Sequence, residues 1–211
     1  MLETKERILD TAERLFGEQG YGATSLRQII AEAGVNLAAV HYHFGSKEDL
    51  LDAVVVRKLA PINDERLALL DAAMAAAGAK PVTIEEFLEA FLRPAVVRAG
   101  RDPGFSKLMG RLHGEGLMPR VVVKNFQQVA ARFMSGMRQA LPDLPEDEAI
   151  WRIHFMTGAM AQTLKGPPDY PGVMVGSAVD PETLLRWIVI FLSAGFRAPA
   201  TRCAAIEEVK A

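Results

Sequence analysis

Hydrophobic positions recur at helical spacing along nearly the whole chain, and no run shows the period-two alternation of a half-buried strand. Ile8, Leu9, Ala12, Leu15 and Phe16 form one apolar stripe on a first helix, with Thr4 as its predicted N-cap and Gly20 at its end. Leu26, Ile29, Ile30 and Ala33 mark a short second helix, capped by Thr24 or Ser25. Gly34 suits a left-handed turn residue and Val35 the buried residue after it. A third short helix runs from about Asn36 to His43. Ser46, with Asp49 three residues on, opens a longer helix that is predicted to kink or restart at Pro61, since proline lacks an amide donor. Thr83 with Glu86 opens the next helix, rich in Phe87, Leu88, Phe91 and Leu92. Asp102-Pro103 and Met118-Pro119 mark two more starts, with proline at the first helical position. Leu144-Pro145 opens a helix to about Leu164, and Asp180-Pro181 another to about Arg197, with a long loop from Gly166 to Val179 between them. The pattern predicts an all-α fold of about nine helices.

Two short helices joined by Ala33-Gly34-Val35 and packed on an amphipathic helix make a three-helix helix-turn-helix unit. The sides of its third helix differ. Val40 and Phe44 face the core with Val35, which leaves Leu37, Ala38 and Ala39 outward among Asn36, His41, Tyr42 and His43. Small outward residues suit a helix that enters a DNA major groove, while the plainer alternative is a connector helix in a bundle. Charge gives this reading no help. The net charge is −2, and residues 1–50 carry eight acidic side chains against five basic ones. DNA binding must then rest on where a few donors sit. Lys47 at a helix start can hold a phosphate, or be a solvated lysine; His43 can do the same, or cap its helix. The expected division is residues 1–50 for a DNA-binding domain, 51–200 for a helical ligand-binding and dimerisation domain, and 201–211 for a polar tail holding Cys203.

Thr24-Ser25-Leu26-Arg27-Gln28-Ile29-Ile30, Ala33-Gly34-Val35-Asn36 and Tyr42-His43-Phe44-Gly45-Ser46-Lys47-Glu48-Asp49-Leu50 resemble the signature of the tetracycline-repressor (TetR) family. The resemblance implies a dimeric transcription regulator on a double-stranded DNA operator. It implies phosphate contacts by Tyr42, His43 and Lys47, and base-edge contacts by Arg27, Asn36, Leu37, Ala38 and Ala39. Leu37, Ala38 and Ala39 offer thymine-methyl contacts and no bidentate hydrogen bonds, so Arg27 and Asn36 would carry the polar discrimination. A ligand-released repressor is the expectation; an activator of the same type would carry the same signature.

The last two helices are apolar almost all round, which calls for a second partner beyond the core. The family resemblance implies a four-helix interface with a second copy, here through Ile150, Gly158, Leu184, Trp187, Ile188, Phe191 and Gly195. Gly158 and Gly195 permit either close helix approach or core packing. Seven of the nine methionines lie between Met109 and Met174 among several phenylalanines. Such a flexible core either accepts an apolar guest or fills an irregular interior. The candidate pocket residues are Phe105, Met109, Phe126, Phe133, Met137, Trp151 and Phe155, with Arg111, His113 or His154 as anchors for an acidic head or as ordinary surface and core residues. Trp151-Arg152-Ile153-His154-Phe155-Met156 with Gly158-Ala159, together with Val35 to Ala39, resembles a subgroup responsive to long-chain fatty acids, which implies a fatty acid or acyl-CoA effector.

No signal-like apolar stretch opens the chain, and the most apolar run, Leu184 to Phe196, is interrupted by Arg186 and falls short of the roughly 20 residues of a bilayer span. The expectation is a cytoplasmic protein without a membrane partner. No catalytic constellation can be assembled: His41 and His43 sit on different sides of a helix, and no P-loop lysine follows Gly172 or Gly176. No enzyme activity, metal or cofactor is expected. A third reading is a ligand-carrying helical module whose DNA-binding head has lost function, separable by salt-dependent binding of an upstream DNA fragment.

Overall fold

In the computed structural model, which describes residues 2–78, 80–117, 126–167, 169–170 and 174–200, nine helices account for most of the described chain. They are α1 (Leu2–Gln19), α2 (Leu26–Ala33), α3 (Leu37–Phe44), α4 (Lys47–Ala77), α5 (Ile84–Arg101), α6 (Pro103–Gly114), α7 (Gln127–Ala140), α8 (Glu146–Leu164) and α9 (Pro181–Arg197). The predicted start at Met118-Pro119, the side chain of Met174 and the tail at 201–211 with Cys203 lie outside the described residues.

Local chemistry sets most of the helix ends. Ser25, Asn36 and Ser46 each accept the third amide of the helix they cap, and Thr83 with Glu86 makes a reciprocal capping box. Asp102 and Asp180 cap helices that begin on proline. Gly34 adopts φ 61°, and the pair Val35 N–H to Ile30 O and Gly34 N–H to Ala31 O closes α2 in a Schellman motif. Thr24 takes no cap position; its buried hydroxyl donates to the carbonyl of Gly20, 2.7 Å away.

Three expectations are corrected. Thr4 does not cap α1, which begins two residues earlier with Glu3 in its first turn, where an acid suits the positive helix end. Pro61 does not restart α4, which runs unbroken for 31 residues. Proline in a helix interior costs about 3 kcal/mol, and burial of Leu59 and Ile62 on either side offsets it. The loop after Gly166 contains a two-residue antiparallel ladder, β1 (Asp169–Tyr170) with β2 (Met174–Val175), too short to show an alternating pattern.

Two hydrophobic cores share α4. The first joins α1–α3 and the first half of α4 with Phe105, Leu108, Met109 and Leu112 of α6. The second joins Leu70 near the far end of α4 with α5, α7, α8 and α9. Packing therefore does not divide at residue 50: α6 lies against α1 and belongs to the head-side core.

Candidate functional site

The helix-turn-helix head is assembled around α3. Val40 and Phe44 are buried, whereas Leu37, Ala38, His41 and Tyr42 are exposed, and Ala39 and His43 half-buried. Arg27 stands exposed on the first turn of α2. A residue with no part in the sequence-based assignment fixes the turn. The Arg7 guanidinium of α1 donates to the Ala33 carbonyl from Nε (3.2 Å) and from Nη2 (2.7 Å), and from Nη2 to the Gly34 carbonyl at 2.8 Å.

Three of the DNA-contact candidates have duties inside the head. Asn36 Oδ1 accepts the Ala39 amide at 2.8 Å and so caps α3, which leaves the carboxamide nitrogen as its outward donor. The cap at the other end of α3 is His41, whose Nδ1 lies 2.7 Å from the Gly45 carbonyl; His43 instead packs its ring on Tyr42 and Phe44. Lys47 is not a solvated lysine. Its ammonium donates to the Tyr21 carbonyl at 2.5 Å and lies 4.1 Å from the Tyr21 ring centre. Burial pushes its pKa down, opposed by the nearby Glu115 carboxylate.

The acidic surplus of the head is largely neutralised within the fold. Glu6, Asp10 and Glu13 pair with Arg57 of α4, and Glu13 also pairs with Lys58. Glu18 and Glu32 pair with Arg14. At least five of the eight acids counted in residues 1–50 thus face a cation. Two of those cations come from beyond residue 50, so a charge count on the head alone misses them.

The candidate effector residues are not all brought together. Phe133 and Met137 are buried in the second core, where the Phe133 ring centre lies 4.9 Å from Phe87 and 4.6 Å from Phe91. Half-buried Phe126 touches both cores. Phe105 and Met109 belong to the head-side core instead, because α6 turns them toward α1 and α4. Arg111 and His113 are exposed, and Arg111 Nη2 donates to the Glu18 carbonyl at 2.9 Å. Trp151, His154 and Phe155 stand on the outer face of α8, so none of these five anchors or walls an interior pocket in this chain. A cleft of about 440 Å³ between α1 and α6 is lined by Gly17, Ser106, Lys107, Arg111 and Lys165, away from the Phe- and Met-rich core.

The proposed interface residues divide by face. Ile150, Trp187 and Phe191 are exposed, Leu184 is half-buried and Gly195 is exposed, whereas Ile188 is packed in the second core and cannot face a partner. Ile190 takes its place on the outer face. A Cβ on Gly158 or Gly195 would meet nothing within 4 Å, so neither glycine is required by packing inside the chain. No helix among the described residues is long and apolar enough to cross a membrane, and no cluster of three His, Cys, Asp or Glu among them could hold a metal.

Comparison with known proteins sets this geometry beside relatives. A family model described as bacterial regulatory proteins, tetR family, matches residues 8–54. A model described as the tetracyclin repressor-like C-terminal domain matches residues 89–195. The HTH-type transcriptional regulator AcrR of Shigella flexneri is 46% identical over 52 residues, covering 25% of this chain and 24% of that protein. The HTH-type transcriptional regulator BetI of Rhizobium meliloti is 38% identical over 69 residues, 33% of this chain and 34% of that protein. The chain thus matches about a quarter to a third of the length of these two relatives. Among solved structures, the fatty acid degradation regulator FadR from Bacillus halodurans aligns over 92% of this chain and 96% of its own, with TM-score 0.65 and 16% identity. A TetR-family transcriptional regulator from Streptomyces coelicolor aligns over 93% and 96%, with TM-score 0.56 and 23% identity. At such identity these likenesses show a shared fold alone.

Proposed function

The chain belongs to the TetR family of helix-turn-helix transcription regulators, and on that premise we propose that it is a repressor released from its operator by a small effector. In this reading it is a cytoplasmic regulator with no enzyme activity. It binds a near-palindromic operator as a homodimer, since a two-fold protein presents two recognition helices to two half-sites. The observation that carries DNA binding is α3. It is anchored by buried Val40 and Phe44, follows a turn that Arg7 clamps at the Ala33 and Gly34 carbonyls, and presents Leu37, Ala38 and Tyr42 to solvent. Leu37, Ala38 and Ala39 would read thymine methyls, Arg27 and the Asn36 carboxamide nitrogen base edges, and Tyr42, His43 and Lys47 phosphates. Lys47 keeps donors for that role, because an ammonium has three and one is spent on Tyr21.

Two variants test the division between affinity and specificity on a DNA fragment from upstream of the gene. Lys47→Ala is expected to weaken binding to every sequence and to lower the salt slope by roughly one. Arg27→Ala is expected to relax discrimination at particular base pairs by about 1–3 kcal/mol. Asn36→Ala is a poorer probe, since it also removes the α3 cap. A change of sequence preference by Lys47→Ala with an intact salt slope would reverse the assignment.

The effector is read as an elongated apolar molecule, a fatty acid or its acyl-CoA, because Phe87, Phe91, Phe126, Phe133, Met137 and Met160 converge on the second core. Such a molecule releases DNA only if it binds the incompetent arrangement more tightly than the competent one.

A further inference from the structure

One buried charge on α4 stands out among the apolar side chains around it. Leu59, Ile62 and Leu70 form the buried stripe of α4, and the position between Ile62 and Leu70 on that stripe is Arg66, 2% exposed. Its guanidinium has five N–H donors. Nε donates to the Phe91 carbonyl at 2.8 Å, one terminal nitrogen to Asn63 Oδ1 at 3.2 Å, and the other only to the thioether sulfur of Met160 at 3.7 Å. Phe91 and Phe126 flank it, with ring centres 4.5 and 5.5 Å from Cζ. No carboxylate among the described residues pairs with it. Burial alone pushes its pKa down to about 10, so it remains a cation at neutral pH.

The other buried arginine shows what a structural role looks like here. Arg152 pairs with Glu148 and donates to the carbonyls of Gly195, Phe196 and Ala198 where α9 ends. A charge taken out of water is costly unless it is paired and fully hydrogen-bonded, and Arg152 meets that condition. Arg66 does not. A thioether is a weak acceptor, and methionine is readily displaced because its chain is unbranched and flexible.

We propose that the Arg66 guanidinium is the receiving group for the carboxylate of an apolar monoanion, which would displace the Met160 thioether from the terminal nitrogen it now meets. The inference rests on the effector reading above and names the chemistry of the effector's head. The guanidinium fork matches a carboxylate, and one cation balances one negative charge. The flanking rings of Phe91 and Phe126 hold the fork in plane, and Phe133 behind Phe91 continues an apolar wall for the tail. Met160 and Phe126 are only half-buried and give the way in. An acyl thioester lacks the free carboxylate, so of the two effector classes named above this site selects the free acid.

The test uses the full-length protein with sodium dodecanoate, methyl dodecanoate and dodecanol, read by calorimetry without DNA and by release from operator DNA. The wild type is expected to bind the acid at least about tenfold more tightly than the ester or the alcohol. Arg66→Met, which replaces an unpaired buried cation by an apolar chain of similar length, is expected to fold with undiminished stability and to lose that preference. Arg66→Lys keeps the charge without the fork and should keep part of it. Should Arg66→Met fail to fold, Met160→Glu decides: an internal carboxylate should raise the thermal midpoint and abolish binding of the acid. Equal affinity of the wild type for acid and ester, or a preference that survives Arg66→Met or Met160→Glu, overturns the proposal. Binding of the acid at Arg66 without any change in operator occupancy supports the site and removes the effector reading. Release by a cationic drug, with no binding of the acid, removes both the site and the acyl effector and leaves the ligand-released repressor standing.

Discussion

At the scale of single residues, the head depends on a long-range clasp that local patterns do not announce. Arg7 sits on the exposed side of α1 and reads, in sequence, as one more solvated charge, yet it spans 26 residues to hold the last carbonyls of α2. Those carbonyls are the ones a helix end leaves without partners. Arg7→Met is expected to cost about 1–2 kcal/mol, since hydrogen bonds from a charged donor are lost at a partly solvated site. For a chain of this size that lowers the thermal midpoint by roughly 2–8 °C, readable by circular dichroism. Arg7→Lys should recover little, because an ammonium cannot supply the fork. The caps and the Gly34 turn were legible because Ser, Thr, Asn, Asp and Gly do their work within four residues of themselves. Arg7, Lys47 on Tyr21 and Glu115 on the Gly22 amide were not, because each reaches a partner set by tertiary packing. Arg66 was legible in principle, as a charge at a buried position of the α4 stripe.

At the scale of elements, helix starts and ends follow the capping residues closely, and the departures occur where packing outweighs local preference. Pro61 stays inside α4, and α6 turns Phe105 and Met109 toward α1, where spacing could give their face but not the neighbour. The junction of α5 and α6 illustrates how two roles meet in one residue. Asp102 caps α6 through the Phe105 amide at 3.0 Å and accepts from Lys58 of α4 at 2.9 Å. Burial pushes its pKa up, but the bonds from Lys58 and the Phe105 amide outweigh it and hold the carboxyl below its usual value. A depressed folded pKa contributes stability above the unfolded value, near 3.9, and loses it as pH falls through the folded one. Lys58 is shifted upward, its burial outweighed by Glu13 and Asp102, so its contribution is lost only as pH rises beyond about 10. Asp102→Asn keeps an oxygen for the cap and removes the ion pair, at an expected cost of about 1 kcal/mol at pH 7. Asp102→Ala should cost about 1 kcal/mol more through the cap. Urea titrations at pH 7 and pH 3 check both points: the gap between wild type and Asn is expected to narrow at the lower pH, while the gap between Asn and Ala persists.

At the scale of the whole molecule, α9 explains why a helix can be apolar on all sides without being a membrane span. Leu185, Ile188, Val189, Leu192 and Phe196 face the second core, while Trp187, Ile190 and Phe191 stand in solvent, as do Ile150, Trp151 and Phe155 of α8. Six large apolar side chains in one exposed stripe pair are more than an isolated chain ordinarily leaves uncovered. A second copy of the same two helices would cover them, and the two faces of α9 give a test that separates association from folding. Phe191 is 71% exposed and Ile188 only 6%. Phe191→Glu is therefore expected to leave the helical circular dichroism and the urea midpoint of the chain nearly intact while converting a dimer to a monomer in sedimentation at micromolar concentration. Ile188→Glu puts a charge in the core and should unfold the second domain at any concentration. If two heads act together on two half-sites, the Phe191→Glu monomer loses the gain from joint engagement, so its operator affinity is expected to fall by roughly 10²–10⁴. Its salt slope on a single half-site should equal that of one wild-type head, about half that of the wild-type dimer on the full operator. A Phe191→Glu chain that stays dimeric, or a wild type that sediments as a monomer at all concentrations, would move the interface away from α8 and α9 and leave their exposed aromatics to be explained by another partner.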